Sequence, residues 1–124
     1  MARQDLMAQL EPGDLFHARF PNGAVRICIV TSVEDVRLSA RSITTQERYS
    51  FDRVTGATCP AGDGAICTMD SVHPLPADVC AHLREIDRRY AALRGLDEMR
   101  LCDAEQRALL DAGSLFESNP LPAG

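Results

Sequence analysis

The sequence predicts an α+β fold: a small five-stranded antiparallel, barrel-like sheet followed by C-terminal helices. Two observations predict it. Between Gly13 and Val72, short runs of alternating apolar and polar residues are broken by Gly, Pro, Asn and Asp, the pattern of closely spaced strands. After Pro76 the period becomes that of a helix, with Val79, Leu83, Ile86, Tyr90 and Leu93 on one stripe. Several short strands in so short a span cannot cover both faces of an open sheet, so they are expected to curl into a barrel. The 124 residues have room for one domain. Within it, a barrel-like core is expected over 11–73, helices over 76–95 and 103–113, and a frayed tail over 118–124.

The elements follow in order. Residues 2–10 suit a short helix with Leu6, Met7 and Leu10 on one side, stopped by Pro12-Gly13. A first strand is expected over Asp14 to Phe20, where Phe16, Ala18 and Phe20 alternate with Leu15, His17 and Arg19. Pro21-Asn22-Gly23 turns the chain, because Asn-Gly tolerates positive φ. A second strand over Ala24 to Val33 sets Val25, Ile27 and Ile29 against Arg26, Cys28 and Val30. Glu34-Asp35 breaks it. A third runs from Val36 to Ile43, and Thr44-Thr45-Gln46 turns into a fourth from Glu47 to Val54. Thr55-Gly56 and the Gly/Pro loop from Cys59 to Gly64 lead to a weaker fifth from Ala65 to Val72. The alternation places Phe16, Phe20, Ile27, Ile29, Leu38 and Phe51 in the barrel core.

The helix expected over Ala77 to Arg94 has Pro76 in its first turn and Gly95 after its last. A second starts at Asp103, with Gln106 as a capping-box partner, and ends at Gly113. The apolar stripe of the first either closes one end of the barrel or pairs with a second copy of the chain. Its 4-3-4-3 spacing suits a short coiled-coil seam.

The segments GDLFHARF, AVRICIVTSVED, VRLSARSIT and ERYSFDRVTG together resemble the Src-homology-3-like and Tudor-like small barrels. The resemblance covers roughly half the chain, is one of strand and turn pattern, and implies architecture alone. The aromatic-rich groove of true Src-homology-3 domains is missing: there is no Trp, and Tyr occurs only at 49 and 90. Binding of proline-rich peptides is therefore not implied.

Charge narrows the function classes. The net charge is −5, and all 13 cations are arginines. Residues 14–58 carry six arginines against five acids, and residues 76–124 carry six against nine. A simple electrostatic nucleic-acid binder is usually basic, so this balance weighs against that class. One candidate surface remains. With Phe16, Ile27 and Leu38 inward, Arg19, Arg26, Arg37 and Arg41 point outward and offer guanidinium forks to phosphate or carboxylate. The plain alternative is a solvated face of surface ion pairs.

The cysteines stand at 28, 59, 67, 80 and 102, an odd number, and the first fourteen residues carry no apolar signal core. A reduced, cytoplasmic setting without disulfides is the expectation. No run is long enough to span a membrane. Cys59, Cys67, His73, Cys80 and His82 cluster in sequence but lack the paired spacing of a zinc site, so no metal or cofactor is expected. Cys59, in its loop, is the single candidate nucleophile for a small enzyme. The leading expectation is a non-catalytic binding or adaptor module for another macromolecule, a protein. The alternatives are a nucleic-acid-binding barrel using the arginine face and a cysteine-dependent enzyme.

Overall fold

In a computed structural model, which describes residues 2–58, 66–93 and 100–122, the chain forms a curled half-barrel sheet with one helix at its mouth and two on its back. The order is α1 (Arg3–Ala8), β1 (Leu15–Arg19), β2 (Val25–Val33), β3 (Arg37–Ser42), β4 (Arg48–Asp52), β5 (Thr68–Ser71), α2 (Ala77–Ala92) and α3 (Asp103–Ser118). The antiparallel sheet runs β4-β3-β2-β1-β5. The first four strands are a meander, and β5 returns to the free edge of β1.

Local chemistry sets the turns. Gly23 takes φ +90° between β1 and β2, and the Asn22 side chain accepts the Ala24 N–H at 2.9 Å. Gln46 is the one non-glycine residue described with positive φ, at 61°. Its amide is held by the Ile43 carbonyl at 3.0 Å and the Asp87 carboxylate at 2.9 Å. After β4, Asp52 accepts the Val54 and Thr55 N–H groups, and Gly56 follows at φ +80°. A Cβ there would stand 2.9 Å from the Met7 sulfur, so α1 lies directly against this turn. Bridges Phe51↔Thr58 and Ala57↔Thr68 carry the rim from β4 towards β5, which draws the sheet into its curl.

Two cores result. The inner core fills the concave side with Phe16, Ala18, Cys28, Val30, Leu38, Ala40, Tyr49, Phe51 and Met69. Met7 from α1 and Leu10 just beyond its end close it, and Leu121 joins from the C-terminal segment. Phe16 and Phe51 meet edge to face at 5.2 Å. The outer core lies between the convex side and the helices. It brings Leu15, Ile29 and Ile43 against Val79, Leu83 and Ile86 of α2 and Ala108, Ala112 and Phe116 of α3.

This arrangement corrects several expectations. Phe16 pairs with Cys28, and Ala18 with Arg26. Directly opposed residues share a face, so Cys28 and Val30 point into the curl while Ile27 and Ile29 point at the helices. Phe20 is half-buried at the rim of the inner core. The helix that closes the barrel mouth is α1; α2 covers the sheet's back. Helix α3 begins one residue earlier in its capping than expected, with Glu105 accepting the Cys102 N–H at 3.0 Å. It runs through Gly113 to Ser118. The tail does not fray at 118: Leu121 donates its N–H to the Asp70 carbonyl at 2.7 Å and is buried. Helix α2 ends at Ala92, and the Gly95 stop lies outside the described residues.

Candidate functional site

The four arginines of the expected face do not converge. Arg26 lies on the concave phase, with its guanidinium 5.6 Å from the Phe20 ring centre and donating to the Val25 carbonyl. The other three share the convex phase but not a patch. Arg19 reaches Asp70 at 3.3 Å and Glu117 at 2.6 Å. Arg41 makes a two-pronged bond to Asp87 at 2.9 and 2.7 Å. Arg37 stands exposed at the far end of β3, opposite Asp52. The sequence reading missed Arg48, which lies directly opposite Arg41 on β4 and makes no ion pair among the described residues.

The stripe on α2 is spent largely inside the chain. Val79, Leu83 and Ile86 are buried on the sheet, Tyr90 is partly buried against the same cluster, and Leu93 is half-buried beyond the helix end. Asp87 lies on this face too. Burial pushes its carboxyl up, but hydrogen bonds from Arg41 and Gln46 outweigh that and hold it below the usual carboxylate range. Glu105 is held low by the Cys102 N–H, against burial and with help from Arg89 at 2.6 Å. Three ion pairs thus strap β3 to α2, β1 to α3, and α2 to α3.

A buried polar group sits under α3. His17 is 1% exposed, stacks on the Phe116 ring at 5.3 Å, and places Nδ1 3.2 Å from Asp70 Oδ2. A bulge makes this contact. His17 pairs with Ser71 while Ala18 pairs with Met69, so Asp70 is the extra residue on β5, re-aimed towards His17. Donor atoms of His17, Asp70 and Glu117 lie within 4.8 Å of one another, close enough for a metal ion. Arg19 already supplies the cation to both carboxylates.

An apolar cleft lies elsewhere, between α1, the start of β1, the β5–α2 connection and α2. It holds about 340 Å³. Leu6, Leu10, Leu15, Val72 and Leu75 form its apolar lining, and Asp14, His73 and Arg84 add polar groups. Proline 74 fixes the connection, and Arg84 ties α2 to the Gly13 carbonyl at 3.1 Å, which holds the cleft's two sides together.

No family model, curated protein or solved structure matches this chain.

The sulfur and imidazole residues grouped in sequence are dispersed. Cys67 is buried in the inner core, His73 and Cys80 line the cleft, and His82 is half-buried on α2. Cys59 lies outside the described residues. The Cys80 thiol donates to the Leu75 carbonyl at 3.6 Å. Burial pushes the Cys28 thiol up to about 12 and the Cys67 thiol up to about 11, the reverse of an activated nucleophile. No helix among the described residues is long and apolar enough to cross a membrane.

Proposed function

We propose that this chain is a non-catalytic binding module, in a reducing compartment, that holds a protein partner through the cleft between α1 and α2. The observation that carries this reading is the cleft's composition: a mainly apolar lining around a space of about 340 Å³, with Asp14, His73 and Arg84 beside it. Protein interfaces concentrate their energy where one or two apolar anchor side chains enter such a pocket and polar groups at the rim fix orientation. A photo-crosslinking residue at His73, with one at exposed Arg107 as control, tests it in the native cell. The expected result is a discrete adduct from position 73 that disappears when Leu75→Asp charges the cleft in a protein that still melts cooperatively. No adduct at 73, or the same products from both positions, rules the reading out.

A second reading, polyanion or nucleic-acid binding, draws on the convex side of β2, β3 and β4. Arg41 and Arg48 are direct cross-strand neighbours, and like charges so placed repel unless neutralised. Asp87 neutralises the first. Thr31, Ser32, Ser39 and Ser50 line an open depression of about 520 Å³ together with both arginines, and their hydroxyls could donate to phosphate oxygens. Arg48→Ala and Arg37→Ala would each lower the salt slope of binding by about one contact. Absence of binding at low salt eliminates this reading.

A further inference from the structure

The convex side of the sheet gathers three metal-ligating side chains at one point. Donor atoms of the His17 imidazole and the Asp70 and Glu117 carboxylates lie within 4.8 Å of one another. None of the three lines the cleft between α1 and α2. They come from three elements. His17 lies on β1, Asp70 is the residue that the β1–β5 bulge re-aims, and Glu117 lies in the last turn of α3. Packing fixes their convergence. Phe116, next to Glu117 in the chain, stacks on the His17 ring. Leu121 donates its N–H to the Asp70 carbonyl at 2.7 Å, and the Ser71 hydroxyl donates to the Asn119 carbonyl at 2.6 Å. These two bonds pin the segment after α3 to β5.

The charges and spacings suit a cation. Asp70 and Glu117 bring two negative charges, and Arg19 returns one. One nitrogen of its guanidinium touches both carboxylates, at 3.3 and 2.6 Å, so this point already draws a cation from the chain itself. A divalent ion would balance both carboxylates. His17 adds a ring nitrogen that an Arg–carboxylate pair does not need, with Nδ1 3.2 Å from Asp70 Oδ2. Zinc with bonds of about 2.0–2.1 Å in a tetrahedron sets neighbouring donors roughly 3.3 Å apart. The His17–Asp70 pair already meets that spacing. Glu117 is exposed, and its flexible side chain can close the remaining distance. Arg19 reaches the carboxylates from a partly exposed position, so it can swing out to solvent.

We propose that His17, Asp70 and Glu117 form a binding site for a divalent transition-metal ion of the zinc type, with Arg19 as the cation it displaces. The donor set selects the class: an imidazole nitrogen favours zinc over magnesium or calcium, which prefer oxygen ligands alone. Nδ1 is the ligand atom. A carboxylate only accepts, so in the ion-pair arrangement the Nδ1 facing Asp70 carries the ring proton, and that proton moves to Nε2 when the ion binds. Three protein donors leave a fourth position for water, as in open zinc sites.

Zinc chloride titrated into the reduced full chain at neutral pH, followed by calorimetry and by NMR of the histidine rings, tests this. One ion per chain is expected, with the His17 ring nitrogens shifting to saturation and magnesium failing to compete. Glu117→Gln, at an exposed position, should weaken zinc binding by about tenfold or more, a loss that even outer partners of metal ligands cause. Arg19→Gln removes the competing cation and should tighten binding. Cobalt(II) in place of zinc separates this site from the cysteines, because a thiolate ligand adds a near-ultraviolet charge-transfer band. Absence of saturable binding by the parent, an ion that leaves the His17 ring unchanged, or a thiolate-to-cobalt band overturns the proposal. So does parent-like affinity in Glu117→Gln or weaker binding by Arg19→Gln. The parent measurements decide even if a variant does not fold.

Discussion

The two faces of one sheet are built on different principles. The concave face is closed by aromatic and aliphatic packing: Phe16, Leu38, Phe51 and Met69 are essentially inaccessible, and α1 covers the mouth. The convex face packs two helices over Leu15, Ile29 and Ile43, and it also holds His17, Asp87 and Glu105, all buried. Every ion pair among the described residues lies on this side. Apolar packing fixes the curl; directional bonds fix how the helices seat on it. The difference teaches where chemistry is available. The inner core has spent its surface on apolar contacts, while the outer layer keeps its buried polar groups and leaves Glu105 Oε2 without a hydrogen-bond partner.

Truncation should expose the contrast most strongly. Phe51→Ala removes a fully buried ring from the inner core and is expected to destabilise by about 3–5 kcal/mol in urea unfolding. Ile29→Ala, on the outer core, should cost about 2–5 kcal/mol and mainly loosen the helices, seen as faster amide exchange in α2 and α3 than in the strands. Uniform loss of protection in both variants would mean that the two cores are one cooperative unit.

Removing a strap is the next largest effect. Asp87→Asn weakens the bonds to Arg41 and Gln46 and should cost about 1.5–3 kcal/mol at neutral pH. The pH dependence carries the sign. Asp87 has a depressed pKa in the folded state, so its stabilisation is complete above the unfolded carboxyl value and is lost as pH falls through the folded one. The parent should therefore lose stability in acid more steeply than Asp87→Asn, with the two curves converging at low pH. Parallel curves would show that the Arg41–Asp87 pair contributes nothing to seating α2.

The smallest change runs the other way. Gly113→Ala should stabilise by about 0.8–1 kcal/mol, because the added methyl meets open space and the helix gains a better former. A loss of stability would mean that the space beside Gly113 is already filled.

The sequence made the sheet legible because strands and turns are local. Alternation found five strands, Asn22-Gly23 and Thr55-Gly56 marked real turns, and Pro76 marked the start of α2. The phase of β2 was not legible. Ile27 and Ile29 are more apolar than Cys28, but the sheet has a core on each side, so apolarity alone cannot choose between them. One signal went unread: Asp87 falls on the same helical face as Leu83 and Ile86, and a carboxylate on an apolar stripe calls for a partner. The contact between His17 and Asp70 depends on a bulge between strands far apart in sequence, which no local pattern announces. Arg26 was assigned to the convex face for the same reason that Ile27 was assigned to the concave one.

The two-core arrangement rests on the phase of β2, and side-chain NOEs from Ile29 test it most directly. The account predicts contacts from the Ile29 methyl groups to side chains of α2 and α3 in the outer cluster, with the Cys28 β-protons instead near inner-core side chains such as Phe16. NOEs from Ile29 to the rings of Phe16 or Phe51 would contradict it and return this strand to the opposite phase.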